Sequence, residues 1–171
     1  MAFEGRKINQ GLGLDPKYLK KQYSNPLNWT GGKHRYLSDL FSVLPSDKNL
    51  KVLDPFVGGG DLISKLPKSW SVDAGDLMGD LISIHQGIQL KNITVDSVKK
   101  VINKFKLSNS NSEGYLKLRD EYNKLKHSSL LYTLICHSNT NRMRFNDSGL
   151  FNMPFGERTF NSNMIKKLEN Y

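Results

Sequence analysis

The segment Lys51-Val52-Leu53-Asp54-Pro55-Phe56-Val57 runs directly into Gly58-Gly59-Gly60. An apolar, β-branched run of this length reads as a short buried strand. Three glycines at its end read as a sharp turn. A helix is expected next, from Asp61 through Leu66. Trp70-Ser71-Val72-Asp73-Ala74 reads as a second strand ending at Gly75-Asp76, and a further helix carries Leu77, Leu81, Ile84 and Ile88 on one stripe. Strand, glycine turn, helix, strand, acid, helix is the opening of a doubly wound α/β domain. Parallel strands present their C-terminal ends together, so the glycines and Asp76 share one edge of the sheet.

That edge suits a nucleoside. Glycines let a ligand approach the backbone, and a carboxylate at the end of the second strand can accept hydrogen bonds from both ribose hydroxyls. Asp54, at the end of the first strand, can face a cationic or amino group. Singly, each acid is more often a helix cap or a turn residue. The dinucleotide pattern G-x-G-x-x-G fails, because Ile63 occupies its third glycine position, so a pyrophosphate is disfavoured. A nucleoside cofactor without a required pyrophosphate describes S-adenosylmethionine. Gly31-Gly32-Lys33 is not a P-loop: Leu27 stands where the first glycine belongs, and His34 replaces the magnesium-binding hydroxyl residue.

Elsewhere the periodicity changes. Asn28-Trp29-Thr30-Gly31-Gly32-Lys33 opens a helix with Tyr36, Leu37, Leu40, Phe41 and Leu44 on one face and Pro45 at its end. Val95, Val98, Ile102 and Phe105 repeat at helical spacing behind Thr94. Tyr115, Leu118, Tyr122 and Leu125 do so behind Ser112, and residues 129–137 are apolar nearly all round. A helical cluster therefore interrupts the α/β pattern. Asn146-Asp147-Ser148-Gly149, between two short mixed runs, signals a β-hairpin with Gly149 at the left-handed position. Met164, Ile165 and Leu168 begin one more helix. Residues 1–25, broken by Gly11, Gly13 and Pro16 and carrying Lys17, Lys20 and Lys21, read as a basic, loosely packed extension.

Charge adds a partner. The chain of 171 residues carries a net charge of +9, and residues 91–160 hold 12 basic against 6 acidic side chains. A basic half suggests a polyanion, whereas a solvated lysine-rich surface is the plainer account. Arg142 and Arg144 alternate on the hairpin beside Asn146. Arginine reads guanine and asparagine reads adenine in the major groove, so the hairpin reads either as a duplex-DNA contact or as a solvated face. No run approaches the length of a membrane span, the first residues lack the apolar core of a secretory signal, and a single cysteine, Cys136, supports no disulfide framework. Four scattered histidines offer no metal site, and a reduced, cytoplasmic setting is expected.

These residues resemble the Dam-type, D12-class DNA adenine methyltransferases of bacteria and T-even-like phages. The resemblance runs from about Asn28 to the end. Trp29-Thr30-Gly31-Gly32-Lys33 is similar to the family's opening cofactor motif, and Asp54-Pro55-Phe56-Val57-Gly58-Gly59-Gly60 to its glycine motif. Ala74-Gly75-Asp76-Leu77 holds the ribose-binding acid. Arg144-Phe145-Asn146-Asp147 and Met153-Pro154-Phe155-Gly156 are similar to its target-recognition hairpin. The resemblance implies a Rossmann-like, S-adenosylmethionine-dependent α/β domain with an incomplete sheet, and an inserted helical target-recognition domain with a β-hairpin. It divides the chain into a 1–25 extension, a cofactor-binding half at 26–90, a recognition domain at 91–160 and a return segment at 161–171. It implies cofactor contacts from Trp29, Lys33, Asp54, Phe56, Gly58, Gly60 and Asp76. It implies double-stranded DNA contacts, commonly at GATC, from Arg142, Arg144, Asn146, Pro154 and Arg158.

One departure is large. The family's catalytic Asp-Pro-Pro-Tyr, which binds the flipped adenine, does not occur in this sequence. A family sheet has about seven strands, of which this chain supplies about two. A fragment lacking its C-terminal half, one half of a split enzyme, and a truncated relic all fit, the first and last best. The leading expectation is an adenine-N6 methyltransferase portion with no catalytic residue of its own. The alternative is a non-catalytic, sequence-specific DNA-binding module, one use of which is masking sites from restriction. An S-adenosylmethionine enzyme acting on something other than DNA leaves the hairpin unexplained.

Overall fold

A computed structural model describes residues 25–45 and 49–171. The extension expected over 1–25 lies, apart from Asn25, outside the described residues. Among the described residues, six α-helices and two strands follow in the order α1 (Leu37–Val43), β1 (Lys51–Asp54), β2 (Ser71–Ala74), α2 (Gly79–Gln89), α3 (Val95–Phe105), α4 (Ser112–Leu125), α5 (Ser128–His137) and α6 (Ser162–Glu169). The fold is mixed α/β. Among the described residues the sheet is the parallel pair β1–β2, in register from Lys51 opposite Ser71 to Asp54 opposite Ala74. That register sets the two strand ends level, and the Gly75 N–H donates to the Asp54 carbonyl at 2.8 Å.

The centre of the molecule is α5. Its residues Leu130 to His137 are all buried, as a helix apolar around its circumference requires. Helices α2, α3 and α4 pack on it through Leu81, Ile84, Val98, Leu118 and Tyr122, in one continuous apolar cluster. The cluster crosses residue 90 without a seam, because Leu81, Ile84 and Ile88 of α2 belong to it. A polar tie reinforces the junction: the Tyr122 hydroxyl donates to the Asp80 carboxylate at 2.6 Å. Cys136 is buried in this core, and burial pushes its thiol up to about 12, so it is unreactive. A second, smaller cluster of Leu37, Phe41, Leu66 and Trp70 backs the sheet.

Several local expectations shift. The first strand stops at Asp54 rather than Val57. Pro55 has no N–H to continue the ladder, and the Asp54 carboxylate takes the Phe56 N–H at 3.2 Å, which turns the chain. The strand is also less buried than expected, with Leu53 70% exposed, because the small cluster covers the face that carries Val52, and Leu53 points to the other face. The helix expected from Asp61 through Leu66 is a single 3-10 turn at Ile63–Lys65. Leu66 is extended, the conformation that Pro67 imposes on the residue before it. Leu77 lies outside α2 and is fully exposed. Tyr36 is also exposed, because a 3-10 turn at Lys33–Arg35 resets the helical phase before α1. Asn111, not Ser112, caps α4, its side chain accepting from the Gly114 N–H at 2.9 Å. Thr94 does cap α3, in a reciprocal pair with Ser97. No helix among the described residues is long and apolar enough to cross a membrane.

Two measurements probe this core. Tyr122→Phe strands the half-buried Asp80 carboxylate, and the expected loss is about 1–2 kcal/mol in urea unfolding, with the fold retained. His85 and His137 are each held below the usual imidazole range, mainly by burial. The unfolded chain binds protons on both as pH falls through about 6.5, while the folded chain does not. Their contribution is therefore complete above that pH and declines as pH drops toward their folded-state values. The urea midpoint is expected to fall between about pH 7.5 and about pH 5.5, with the proton uptake on unfolding that this linkage requires.

Candidate functional site

Three stretches far apart in sequence converge at the C-terminal edge of the sheet. The bend after β1 requires left-handed backbone at Gly58 (φ +52°) and Gly60 (φ +89°), which glycine supplies without strain. Space closes the bend to side chains as well: a Cβ on Gly58 would lie 3.1 Å from the Trp29 indole, and one on Gly59 would lie 2.8 Å from the Trp29 Cβ. Trp29 is thus laid along the glycine backbone. Asp76, just past β2, accepts the Gly58 N–H on Oδ2 at 3.0 Å and the Met78 N–H on Oδ1 at 3.1 Å. A carboxylate has about four lone-pair positions, so both oxygens retain acceptor capacity.

Asp54 is only 3% exposed and is paired with Lys33, whose ammonium lies 3.0 and 3.1 Å from its two oxygens and also contacts the Phe56 carbonyl. The cation that Asp54 faces is therefore Lys33 itself. The pair fastens the Trp29–Lys33 stretch to the end of β1. Asp61 adds a second fastening. Expected as a helix-start residue, it is buried and accepts the His34 N–H at 3.3 Å and the Asn25 amide. Between these groups lies a cavity of about 230 Å³, lined by Trp29, Lys33, Phe56, Gly58, Asp61 and Asp76 among others. Phe56 is 75% exposed, an apolar ring at the edge of a polar site. A larger cavity of about 390 Å³ lies behind the bend, against Val57, Ile63, Val72 and Ile82. It holds none of the three carboxylates, whereas Asp61 and Asp76 line the smaller one.

Two residues with no sequence signal also reach the bend. His85 on α2 bonds the Gly58 carbonyl through Nε2 at 2.8 Å, and the Tyr171 hydroxyl lies 2.7 Å from His85 Nδ1. His85 sits on a helix whose apolar stripe explained its packing, and nothing in the local pattern marked Tyr171.

The arginine-bearing segment is held separately, by α4. The chain reverses at Asn146–Gly149, where Gly149 (φ +69°) donates to the Asn146 carbonyl at 2.9 Å, and Phe145 pairs antiparallel with Phe151. Asn123 grips the Phe151 backbone through both its amide atoms, the Tyr115 hydroxyl donates to the Met153 carbonyl, and the Lys126 ammonium donates to the Gly149 carbonyl. Arg144 is exposed, but its guanidinium is not loose: Nε donates to Asn152 Oδ1 and Nη2 to the Asn152 carbonyl, both at 2.9 Å. The end-on face of the fork stays free. Asn146 turns its amide oxygen to the Leu150 N–H, so that atom is committed to the turn. Arg142, Pro154 and Arg158 are exposed nearby in sequence.

The division of labour at the bend predicts different outcomes for two acids. Asp76→Ala is expected to cost less than about 1 kcal/mol, because Asp76 is only half-buried and water can reach its two N–H donors, while altering the amide resonance of Gly58. Asp61→Ala is expected to lower stability by about 1–3 kcal/mol, because it strips a buried acceptor from two donors. Equal destabilisation by the two would contradict the assignment.

A family model described as D12 class N6 adenine-specific DNA methyltransferase matches residues 29–171. The Type II methyltransferase M.FokI of Planomicrobium okeanokoites is 34% identical over 170 residues, covering 95% of this chain and 25% of that protein. The modification methylase StsI of Streptococcus sanguinis is 31% identical over 156 residues, 89% of this chain and 24% of that protein. The DNA adenine methylase of Serratia marcescens is 30% identical over 134 residues, 76% of this chain and 48% of that protein. The chain thus spans about a quarter of the length of the first two relatives and about half of the third.

Proposed function

The chain belongs to the D12 class of N6 adenine-specific DNA methyltransferases, and on that premise we propose that it is the cofactor-holding and DNA-reading portion of such an enzyme. The observation that carries the reading is the Asp76 carboxylate bonded to the Gly58 N–H at 3.0 Å, on the wall of a cavity shared with Trp29 and Lys33. The residues fit S-adenosylmethionine. The glycine backbone has no side chains to obstruct it, Asp76 retains acceptor capacity for ribose hydroxyls, and Trp29 and Phe56 offer apolar faces. When bound, that cofactor supplies an electrophilic methyl group. This chain's part is to hold and orient: Asp76 takes the ribose, Gly58 and Gly60 keep the wall thin, and the Lys33–Asp54 pair fixes the loop carrying Trp29.

The helical region over 91–160 is the target-recognition part inserted after the cofactor half at 26–90, and residues 161–171 lead back. Its hairpin presents Arg142, Arg144, Asn146, Pro154 and Arg158 to double-stranded DNA, at a GATC-like site. Asn152 supports this role for Arg144, since it occupies the inner donors and leaves a forked pair for guanine O6 and N7. Adenine extrusion and capture need groups that this sequence lacks, because Asp-Pro-Pro-Tyr does not occur in it. No catalytic residue is assigned here.

A second reading rests on the basic excess of 91–160, 12 basic against 6 acidic side chains: a DNA-binding module that performs no transfer. The two separate in one set of titrations. The methyltransferase reading expects calorimetric binding of S-adenosylmethionine, weakened at least about 30-fold by Asp76→Ala. DNA binding by either reading is expected to fall with salt, and Arg144→Ala is expected to cost about 1–3 kcal/mol of preference for the cognate site. DNA binding without cofactor binding favours the second reading, and neither binding contradicts both.

A further inference from the structure

Asp76 holds only the N–H of Gly58, in the peptide plane that precedes its Cα. The Gly58 carbonyl is taken by His85 Nε2 at 2.8 Å, and His85 Nδ1 is in turn met by the Tyr171 hydroxyl at 2.7 Å. The two rings also lie against each other, with centroids 5.6 Å apart. Tyr171 touches the bend directly as well: a Cβ built on Gly60 would collide with its phenol ring. Three elements distant in sequence, the bend after β1, helix α2 and the residue just past α6, therefore meet in one hydrogen-bonded chain.

Donor and acceptor logic fixes the direction of that chain. A carbonyl oxygen only accepts, so the proton of the imidazole must sit on Nε2. Nδ1 of a neutral imidazole then accepts, and the Tyr171 hydroxyl must donate. Burial supports both assignments, since it keeps the imidazole neutral and the phenol protonated. Each partner thus locks the tautomer that the other requires. No other arrangement of the two protons satisfies both contacts with a neutral ring.

We infer that His85 and Tyr171 are positioning residues for the cofactor: together they hold the Gly58 carbonyl, and so keep the Gly58 N–H on Asp76 and the glycine wall turned toward the bound nucleoside. This rests on the cofactor reading above. It extends that reading to a residue more than a hundred positions beyond the glycines. The cofactor wall is consequently completed only when the chain has returned from the arginine-bearing segment and placed Tyr171. Neither side chain touches the cofactor in this account. Both act through the Gly58 peptide.

The test uses the 171-residue chain and four proteins: wild type, His85→Leu, His85→Gln and Tyr171→Phe. S-adenosylhomocysteine is the probe in calorimetry, with duplex DNA affinity as the measure of an intact recognition region. His85→Leu is expected to weaken the probe about tenfold or more, the worth of one well-made hydrogen bond to a buried carbonyl, with DNA affinity unchanged. His85→Gln keeps an N–H donor and is expected to restore binding to within about threefold of wild type, which loss of packing alone would not allow. Tyr171→Phe removes one oxygen. It is expected to weaken the probe by a smaller factor and to shift the His85 ring nitrogens, in 15N spectra, from the pure Nε2–H tautomer toward a mixture. If His85→Leu does not fold, the glutamine and phenylalanine variants decide the matter through the same binding and tautomer measurements. Wild-type binding left unchanged in all folded variants overturns this inference and spares the cofactor reading. No binding by wild type overturns both.

Discussion

Gly58 is gripped on both sides of its Cα. Its N–H is bonded to Asp76 at the end of β2, and its carbonyl to His85 on α2. Fixing the peptide planes before and after its Cα fixes the turn, and everything else at the sheet edge is arranged around this one residue. Trp29 lies along it, Tyr171 backs the neighbouring Gly60, and the Lys33–Asp54 pair ties the tryptophan loop to the same strand end. A glycine bend left to itself samples many conformations, and Gly loses more freedom on ordering than any other residue. The two hydrogen bonds select one of those conformations. They select the one that leaves a cavity beside a carboxylate.

The chain supports this site unevenly. A two-stranded parallel pair contributes little core by itself, and Leu53 is left largely exposed on β1. The burial lies instead in the helices gathered around α5. Helix α2 joins the two regimes. One face, Leu81, Ile84 and Ile88, packs into the helical core, while His85 reaches back to the bend. Asp80, on the same helix, ties to Tyr122 of α4, and α4 in turn holds the arginine-bearing segment through Tyr115, Asn123 and Lys126. The glycine bend and the arginines are thus linked through two helices with well-packed faces. The account predicts that they move as one body.

What was legible in the sequence follows from what local pattern encodes. Helices α3 and α5 could be read from spacing and composition, because Val98 and Leu131 sit where helical periodicity places a core. The conjunction of Gly58 and Asp76 was legible because parallel strands present their C-terminal ends together, whereas Trp29 was added only by the family resemblance. Less legible were the places where one side chain overrides a pattern. Pro67 forces Leu66 into an extended form and leaves only a 3-10 turn where a helix was expected. The turn at Lys33–Arg35 rotates Tyr36 off the apolar face. Asp61 read as a helix-start acid because its donors, Asn25 and the His34 backbone, come from a stretch some thirty residues earlier. His85 and Tyr171 were invisible for the same reason, since their meaning depends on a contact that no local window contains.

The most direct measurement is a 1H–15N spectrum of the chain titrated with S-adenosylhomocysteine. The account predicts that the Gly58, Gly59 and Gly60 amides and the Trp29 indole N–H shift together, with one saturation curve. The amides around the larger cavity, at Ile63, Ile82 and Gln86, are expected to stay nearly still. Shifts centred on Ile63 and Ile82 with the glycine bend silent, or no shifts at all, would contradict it.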